Sequence, residues 1–152
     1  WDKPKDQLKH LIEIEPGMAF GTGQHTTSKQ CLQILEDLVE KKDFSLKDKK
    51  ILDLGTGSGI LSVALAKLGA QDIKAFDISP DAIKASLDNA RRNKVSFAAE
   101  KLDLTKLTVS ELEGKNLKSD LILANILFPV LEALSENISH LLEKYLIKKL
   151  KI

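Results

Sequence analysis

Apolar and polar positions alternate over HLIEIE at 10–15, a period of two that predicts a short strand or an extended lead-in. Pro16 and Gly17 break that pattern. From about Thr27 to Lys41 the apolar residues recur at helical spacing, with Cys31, Ile34, Leu35 and Leu38 on one face. Lys47–Lys50 is a polar turn into KILDL at 50–54, an apolar run of strand length. GILSVALAKL at 59–68 reads as a helix, and Gly69 stands where a C′ glycine would end it. DIKAFD at 72–77 is the next strand. Ser79, Pro80 and Asp81 then form an N-cap, a proline at the first helical position and an acid in the first turn. That helix runs to about Arg92 on a stripe of Ile83, Leu87 and Ala90. VSFAAE at 95–100 is a third strand, and SDLILAN at 119–125 a fourth, apolar enough to be buried on both faces. Residues 129–144 read as one more helix, with Val130, Leu134, Ile138 and Leu141 or Leu142 facing inward, and YLIKKLKI at 145–152 as a fifth strand.

Strands alternating with helices imply βαβ units, a mostly parallel sheet and a doubly wound, Rossmann-like α/β sandwich. Ligands bind such sheets beyond the carboxyl ends of the strands, where the strand order reverses. The length of 152 residues fits one such domain, and 43% hydrophobic residues suffice for one core. Lys+Arg 23 against Asp+Glu 22 leaves no global field to attract nucleic acid, and KKLK at 148–151 reads as a solvated tail. No apolar run approaches the roughly 20 residues of a membrane helix. The start, WDKPKDQLKH, has no apolar segment of a signal peptide. Neither a membrane nor a direct nucleic-acid partner is expected.

Cys31 stands alone, so no internal disulfide can form, which is compatible with a reducing, cytoplasmic location. On its helical face it reads as a packed structural residue, not a nucleophile. Three scattered histidines (His10, His25, His140) and one cysteine offer no metal-ligand spacing.

Gly-Thr-Gly occurs twice, at 21–23 and 55–57. The second copy, in LDLGTGSGIL, has an apolar strand before it and a helix after it, the context that gives a glycine motif meaning. Gly55, Gly57 and Gly59 let the backbone turn tightly and approach a ligand. A dinucleotide fingerprint would need G-x-G-x-x-G, but position 60 is Ile; nor does a Gly-Lys-Ser/Thr follow, as a P-loop would require. Asp77 ends the second strand, where an acid is placed to accept hydrogen bonds from both hydroxyls of a ribose. Asp53 lies inside the motif, near the amino group of a ligand that carries one. A ligand with a ribose, a cationic amine and no pyrophosphate fits, and S-adenosylmethionine is the common one.

LDLGTGSG, AFDISPDAI and LILAN together resemble the class I S-adenosylmethionine-dependent methyltransferases. The first Gly-Thr-Gly narrows the resemblance. EPGMAFGTGQHTTSKQCL at 15–32 is a glycine-rich loop emptying into a helix start, with Thr26, Thr27 and Ser28 as candidate caps. It reads as a lid over the cofactor that also narrows the methyl-transfer channel. The stretch resembles the PGMAFGTG-x-H segment of the bacterial ribosomal protein L11 methyltransferase (PrmA-type) family. Asn125-Ile126-Leu127 matches that family's Asn-Ile-Leu at the end of strand four. The likeness runs from Trp1 to about His140.

The resemblance implies cofactor contacts from Thr27 or Ser28, Gly55, Asp77 and Asn125, to which Gly57, Asp53 and the loop residues Phe20 and Gly21 are added. It implies methylation of protein amines, with ribosomal protein L11 as the partner. Asn125 would orient the acceptor amine, and His25 is a secondary candidate base. Where many members have Pro after the His, this chain has Thr26. The family carries an N-terminal domain that captures the substrate protein and a final antiparallel strand pair. Neither is legible between Trp1 and Ile152, so a catalytic domain shortened at its C-terminal strands is expected. Two other readings stay open: a methyltransferase of the same fold acting on another protein or small molecule, and a noncatalytic cofactor-binding module.

Overall fold

The computed structural model of the chain describes residues 11–15, 26–40 and 44–142. Helix α1 (Thr26–Glu40) leads into strand β1 (Lys50–Leu54), helix α2 (Ile60–Lys67), strand β2 (Asp72–Asp77), helix α3 (Pro80–Arg92) and strand β3 (Ala98–Lys101). A 3-10 turn (Leu104–Lys106), helix α4 (Val109–Gly114), strand β4 (Leu121–Ala124) and the short helices α5 (Phe128–Ala133) and α6 (Ser135–Leu141) follow. The strands are all parallel, in the order β3-β2-β1-β4. Ile51 of β1 pairs with Ile73 of β2 on one side and Leu121 of β4 on the other. The chain therefore winds outward from β1 to β3 and then crosses back. In doubly wound sheets ligands bind in the crevice at such a reversal, which here lies between the carboxyl ends of β1 and β4.

The alternation of β1 sorts the core into two layers. Ile51 packs with Leu35, Leu61, Leu65 and Ile73 beneath α1 and α2. Leu52 and Leu54 pack with Phe76, Leu104, Leu112, Leu134 and Leu141 beneath α4 and α6. Helices on both faces of a parallel sheet make the doubly wound sandwich expected from the sequence. At the amino edge, Asp120 accepts from the Lys49 ammonium (2.9 Å) and the Lys50 amide (3.0 Å), locking β4 to β1.

Several elements differ from the pattern-based expectation. Residues 11–15 are the extended lead-in, not a strand; Ile12 and Ile14 pack on the core while the residues between them face solvent. The buried face of α1 contains Ser28 and Leu35, whereas Ile34 is 50% exposed. Thr26 is already helical, so the three hydroxyl residues sit inside the first turn of α1 rather than capping it. On α3 the buried residues are Ala82, Ser86, Asn89 and Ala90, not the Ile83–Leu87 stripe. Its Ser79 cap and Pro80 start are as expected. The third strand begins at Ala98 because the amide of Val95 still bonds the carbonyl of Ala90, in the turn that ends α3.

β4 is half-buried throughout because, among the described residues, only β1 pairs along its length. The helix expected over 129–144 is two helices meeting at Leu134; Val130 is exposed, and Leu134 and Leu141 carry the packing. Leu142 makes a parallel bridge to Ser119, and the proposed fifth strand at 145–152 lies outside the described residues. The hydrophobic pattern predicts no element between the third and fourth strands. There α4 is started by a reciprocal capping box of Thr108 and Glu111. No helix among the described residues is long and apolar enough to cross a membrane.

The rotated face of α1 gives a direct test. Leu35→Ala, at a site 1% exposed, is expected to cost about 2–5 kcal/mol in urea denaturation. Ile34→Ala next to it should cost no more than about 0.5 kcal/mol. Equal losses would put the helix back on the face read from sequence.

Candidate functional site

The carboxyl end of β1 turns through Gly55–Gly59 into α2. The amides of Gly55 and Thr56 both donate to the Phe76 carbonyl (2.8 and 2.9 Å), so the loop springs from the tip of β2. The Gly59 amide donates to the Thr56 carbonyl (2.8 Å), closing the turn. Gly55 has φ +73°, and a Cβ there would lie 2.3 Å from Cγ2 of Ile126, the residue after Asn125. Gly59 has φ +79°, and its Cβ would lie 2.8 Å from the Cα of Ser86. Both the left-handed conformation and the close approach therefore demand glycine at these two positions. The second contact also explains why the buried face of α3 is built of small and polar residues: a larger side chain at 86 would push the loop away.

Asp53 lies on the α2 side of β1, in line with Ile51, and is 1% exposed. One of its carboxylate oxygens accepts from the hydroxyls of Thr56 (2.8 Å) and Ser62 (2.6 Å). Burial pushes its carboxyl above the ordinary range, against the opposing hydrogen bonds from Ser62 and Thr56. The acid is thus folded beneath the loop and braces it from below. Cys31 on α1 is half-buried, and burial, with the nearby Asp53, pushes its thiol up, a poor setting for a nucleophile.

Asp77 ends β2, half-buried beside the loop. Its two oxygens accept the amides of Gly57 and Ser79, each at 3.0 Å. The strand-two acid and the second motif glycine are therefore in direct contact. Across the crevice, Asn125 follows β4, and its side-chain nitrogen donates to the Ser28 hydroxyl (3.2 Å) on α1. Ser28 is 1% exposed, and Thr27 beside it is exposed. Phe20, Gly21 and His25 lie outside the described residues.

Exposed apolar side chains rim the same edge: Ile78 after β2, and Leu127 and Phe128 after β4. Sequence reasoning did not single out Thr56, Ser62 or Asn89. The signals for them are faint: hydroxyls near a buried acid, and polar residues at helical spacing within α3. The described residues hold no cluster of three metal-ligating side chains. The arrangement gathers backbone amides, a carboxylate and a carboxamide at the carboxyl ends of β1, β2 and β4, a setting for holding and orienting a ligand.

The sequence profile described as ribosomal protein L11 methyltransferase (PrmA) matches residues 1–146. The chain belongs to this family. It is 42% identical over 145 residues to the ribosomal protein L11 methyltransferase of Tolumonas auensis, covering 95% of this chain and 46% of that protein. It is 40% identical over 143 residues to the Haemophilus influenzae protein of the same name, covering 94% and 44%. The chain therefore spans a little under half the length of these curated relatives. Among solved structures it resembles the ribosomal protein L11 methylase of Lactobacillus delbrueckii subsp. bulgaricus, with a TM-score of 0.69 and 32% identity, covering 92% of this chain and 66% of that one. A S-adenosylmethionine-dependent methyltransferase from Clostridium acetobutylicum shares the fold at a TM-score of 0.58 and 21% identity. The fold is that of the class I methyltransferases.

Membership in the family does not alter the physical role of Asp53, which can be tested alone. A carboxyl raised on folding contributes stability that is complete below its unfolded value, ordinarily 3.8, and is lost as pH rises through the folded value. The stability of the wild type minus that of Asp53→Asn should therefore fall as pH is raised from that value. Denaturation curves at a series of pH values would show it; a pH-independent difference would mean that burial does not control this carboxyl.

Proposed function

We propose that this chain is the catalytic unit of an S-adenosylmethionine-dependent methyltransferase acting on protein amino groups, with ribosomal protein L11 as acceptor. The observation that carries the reading is the contact of Asp77, at the end of β2, with Gly57 in the loop that ends β1. A carboxylate suited to ribose hydroxyls stands against a loop whose glycines admit close approach. S-adenosylmethionine fits the residues present. Gly55, Gly57 and Gly59 all hold a positive φ and keep the loop at the end of β1 bare of side chains at those positions, and Ile60 takes the place of the third glycine a pyrophosphate loop would need. The names of the relatives support L11 as the acceptor.

When bound, this cofactor supplies an electrophilic methyl group on a cationic sulfur. Gly55, Gly57 and Asp77 would hold it, with Thr27 the outward hydroxyl of the first turn of α1. Ser28 would position Asn125 instead. The acceptor must reach the crevice as a neutral amine. With a reference pKa of about 10.4, a lysine is neutral at pH 7 in only roughly one molecule in 10³–10⁴, a cost of about 4–5 kcal/mol. A neighbouring positive charge and exclusion of water both lower that cost. Because the nitrogen of Asn125 is engaged by Ser28, its oxygen is the part left to orient the amine. Holding amine and methyl in line would supply much of the remaining acceleration.

Titration calorimetry of the folded chain with S-adenosylmethionine is expected to give saturable binding. Asp77→Asn should weaken it by roughly 10- to 100-fold, since hydrogen bonds to a charged group are worth about 1.5–3 kcal/mol. No binding by a folded wild-type chain would overturn the cofactor assignment. With L11 as acceptor, Asn125→Ala should lower kcat about 10²-fold by misplacing the amine. Ser28→Ala, which removes one orienting hydrogen bond, should lower it no more than about tenfold. Full turnover by Asn125→Ala would remove that residue from the mechanism.

A further inference from the structure

Helix α3 carries a pair of buried carboxamides one turn apart. Asn89 is 2% exposed and Asn93 is 7% exposed. The Asn93 oxygen accepts the Glu13 amide (2.9 Å), and its nitrogen donates to the Glu13 carbonyl (2.6 Å) and to the Asn89 carbonyl (2.8 Å). The Asn89 oxygen accepts the Glu15 amide (3.0 Å). Amides two residues apart on an extended chain point the same way, so the two side chains give residues 13–15 the pairing a neighbouring strand would give. Asn93 spends its contacts on that segment and on its own helix. Asn89 reaches further: its nitrogen donates to the carbonyl of Ser58 (2.9 Å), inside the glycine loop.

That carbonyl belongs to the same peptide plane as the Gly59 amide, which closes the turn on Thr56. Fixing one end of the plane fixes the other. A single buried carboxamide thus sets the last turn of Gly55–Gly59 and registers it against Glu15, where the chain runs into the stretch that holds the other Gly-Thr-Gly. We infer that Asn89 is a positioning residue for the cofactor loop, coupling its geometry to the placement of residues 13–15. Asn93 anchors the same segment without touching the loop. The exposed ion pair of Arg92 with Glu15 adds little to either. The inference rests on the cofactor reading above for its binding readout only.

The test compares Asn89→Asp with Asn93→Asp in the chain as it stands, well below its melting temperature. Each substitution keeps the oxygen that accepts a backbone amide and removes the donor. S-adenosylmethionine is titrated calorimetrically, and backbone amide hydrogen exchange is followed at Gly57 and Gly59. Asn89→Asp is expected to raise Kd about tenfold and to speed exchange at Gly57 and Gly59. Asn93→Asp, which keeps the oxygen that accepts the Glu13 amide, is expected to leave exchange at Gly57 and Gly59 unaltered and Kd within about twofold. Asn89→Ser, which removes both bonds without burying a charge, serves if the aspartate variant does not fold, with the same expectation. Equal changes in Kd for the two positions, or unaltered exchange at Gly57 and Gly59 in the Asn89 variants, would overturn the inference. If the folded wild type does not bind S-adenosylmethionine, the cofactor reading fails and the exchange data alone decide the role of Asn89.

Discussion

A carboxylate set among leucines and isoleucines is expensive unless hydrogen-bond donors surround it. Asp53 occupies such a position, at the height of β1 where the strand is about to turn. Its donors are the hydroxyls of Thr56, in the turn, and Ser62, in the first turn of α2. The need to satisfy one buried acid therefore draws the end of β1, the loop and the start of α2 into a single unit. The left-handed glycines make the required path possible. The donors make it the favoured one, and α2 begins without any side-chain cap of its own. With the turn held from below, Gly57 is presented to Asp77 at the end of β2 and Gly55 to Ile126 just after β4.

The rest of the crevice follows from topology. Reversal of strand order between β1 and β4 leaves the two strand ends without a crossover between them. Asp77 arrives on one side of the loop and Asn125 on the other. Neither stands alone: Asp77 is tied to the loop amide and to the start of α3, and Asn125 to the buried hydroxyl of Ser28. Polar groups held in this way lose little further freedom when a ligand arrives, which is how preorganised sites gain affinity.

Much of this was legible in the sequence, and the parts that were not share a cause. KILDL and DIKAFD coincide with strands because two-sided burial leaves an unbroken apolar run bounded by polar turns. Ser79-Pro80-Asp81 announced α3 because capping is local chemistry. Gly55, Asp77 and Asn125 lie at strand ends, where the topological rule places ligand groups. The errors came from tertiary contacts that periodicity does not carry. Ile34 fits a helical stripe as well as Leu32 does, and only the position of α2 decides between them. The buried face of α3 is small and polar because a glycine turn presses on it. Asn89 and Asn93 carry no apolar signal, and it is the extended segment beside them that accounts for their burial by supplying partners. The start of α4 was a different matter, since Thr108 and Glu111 stand at capping-box spacing and could have been read directly.

The parallel arrangement also bears on the order in which the molecule comes into being. β1 pairs with β2 across one helix, and β2 with β3 across another, so that three of the four strands can assemble from contacts close along the chain. β4 reaches β1 only after the chain has travelled through α4, and α1 meets β4 through residues 97 apart in sequence. Distant pairings close late because the loop entropy must be overcome first. On a ribosome synthesising from the amino end, the glycine turn and its acid would be in place before the opposite wall of the crevice had been made. The crevice is thus the youngest part of the fold, completed when β4 docks.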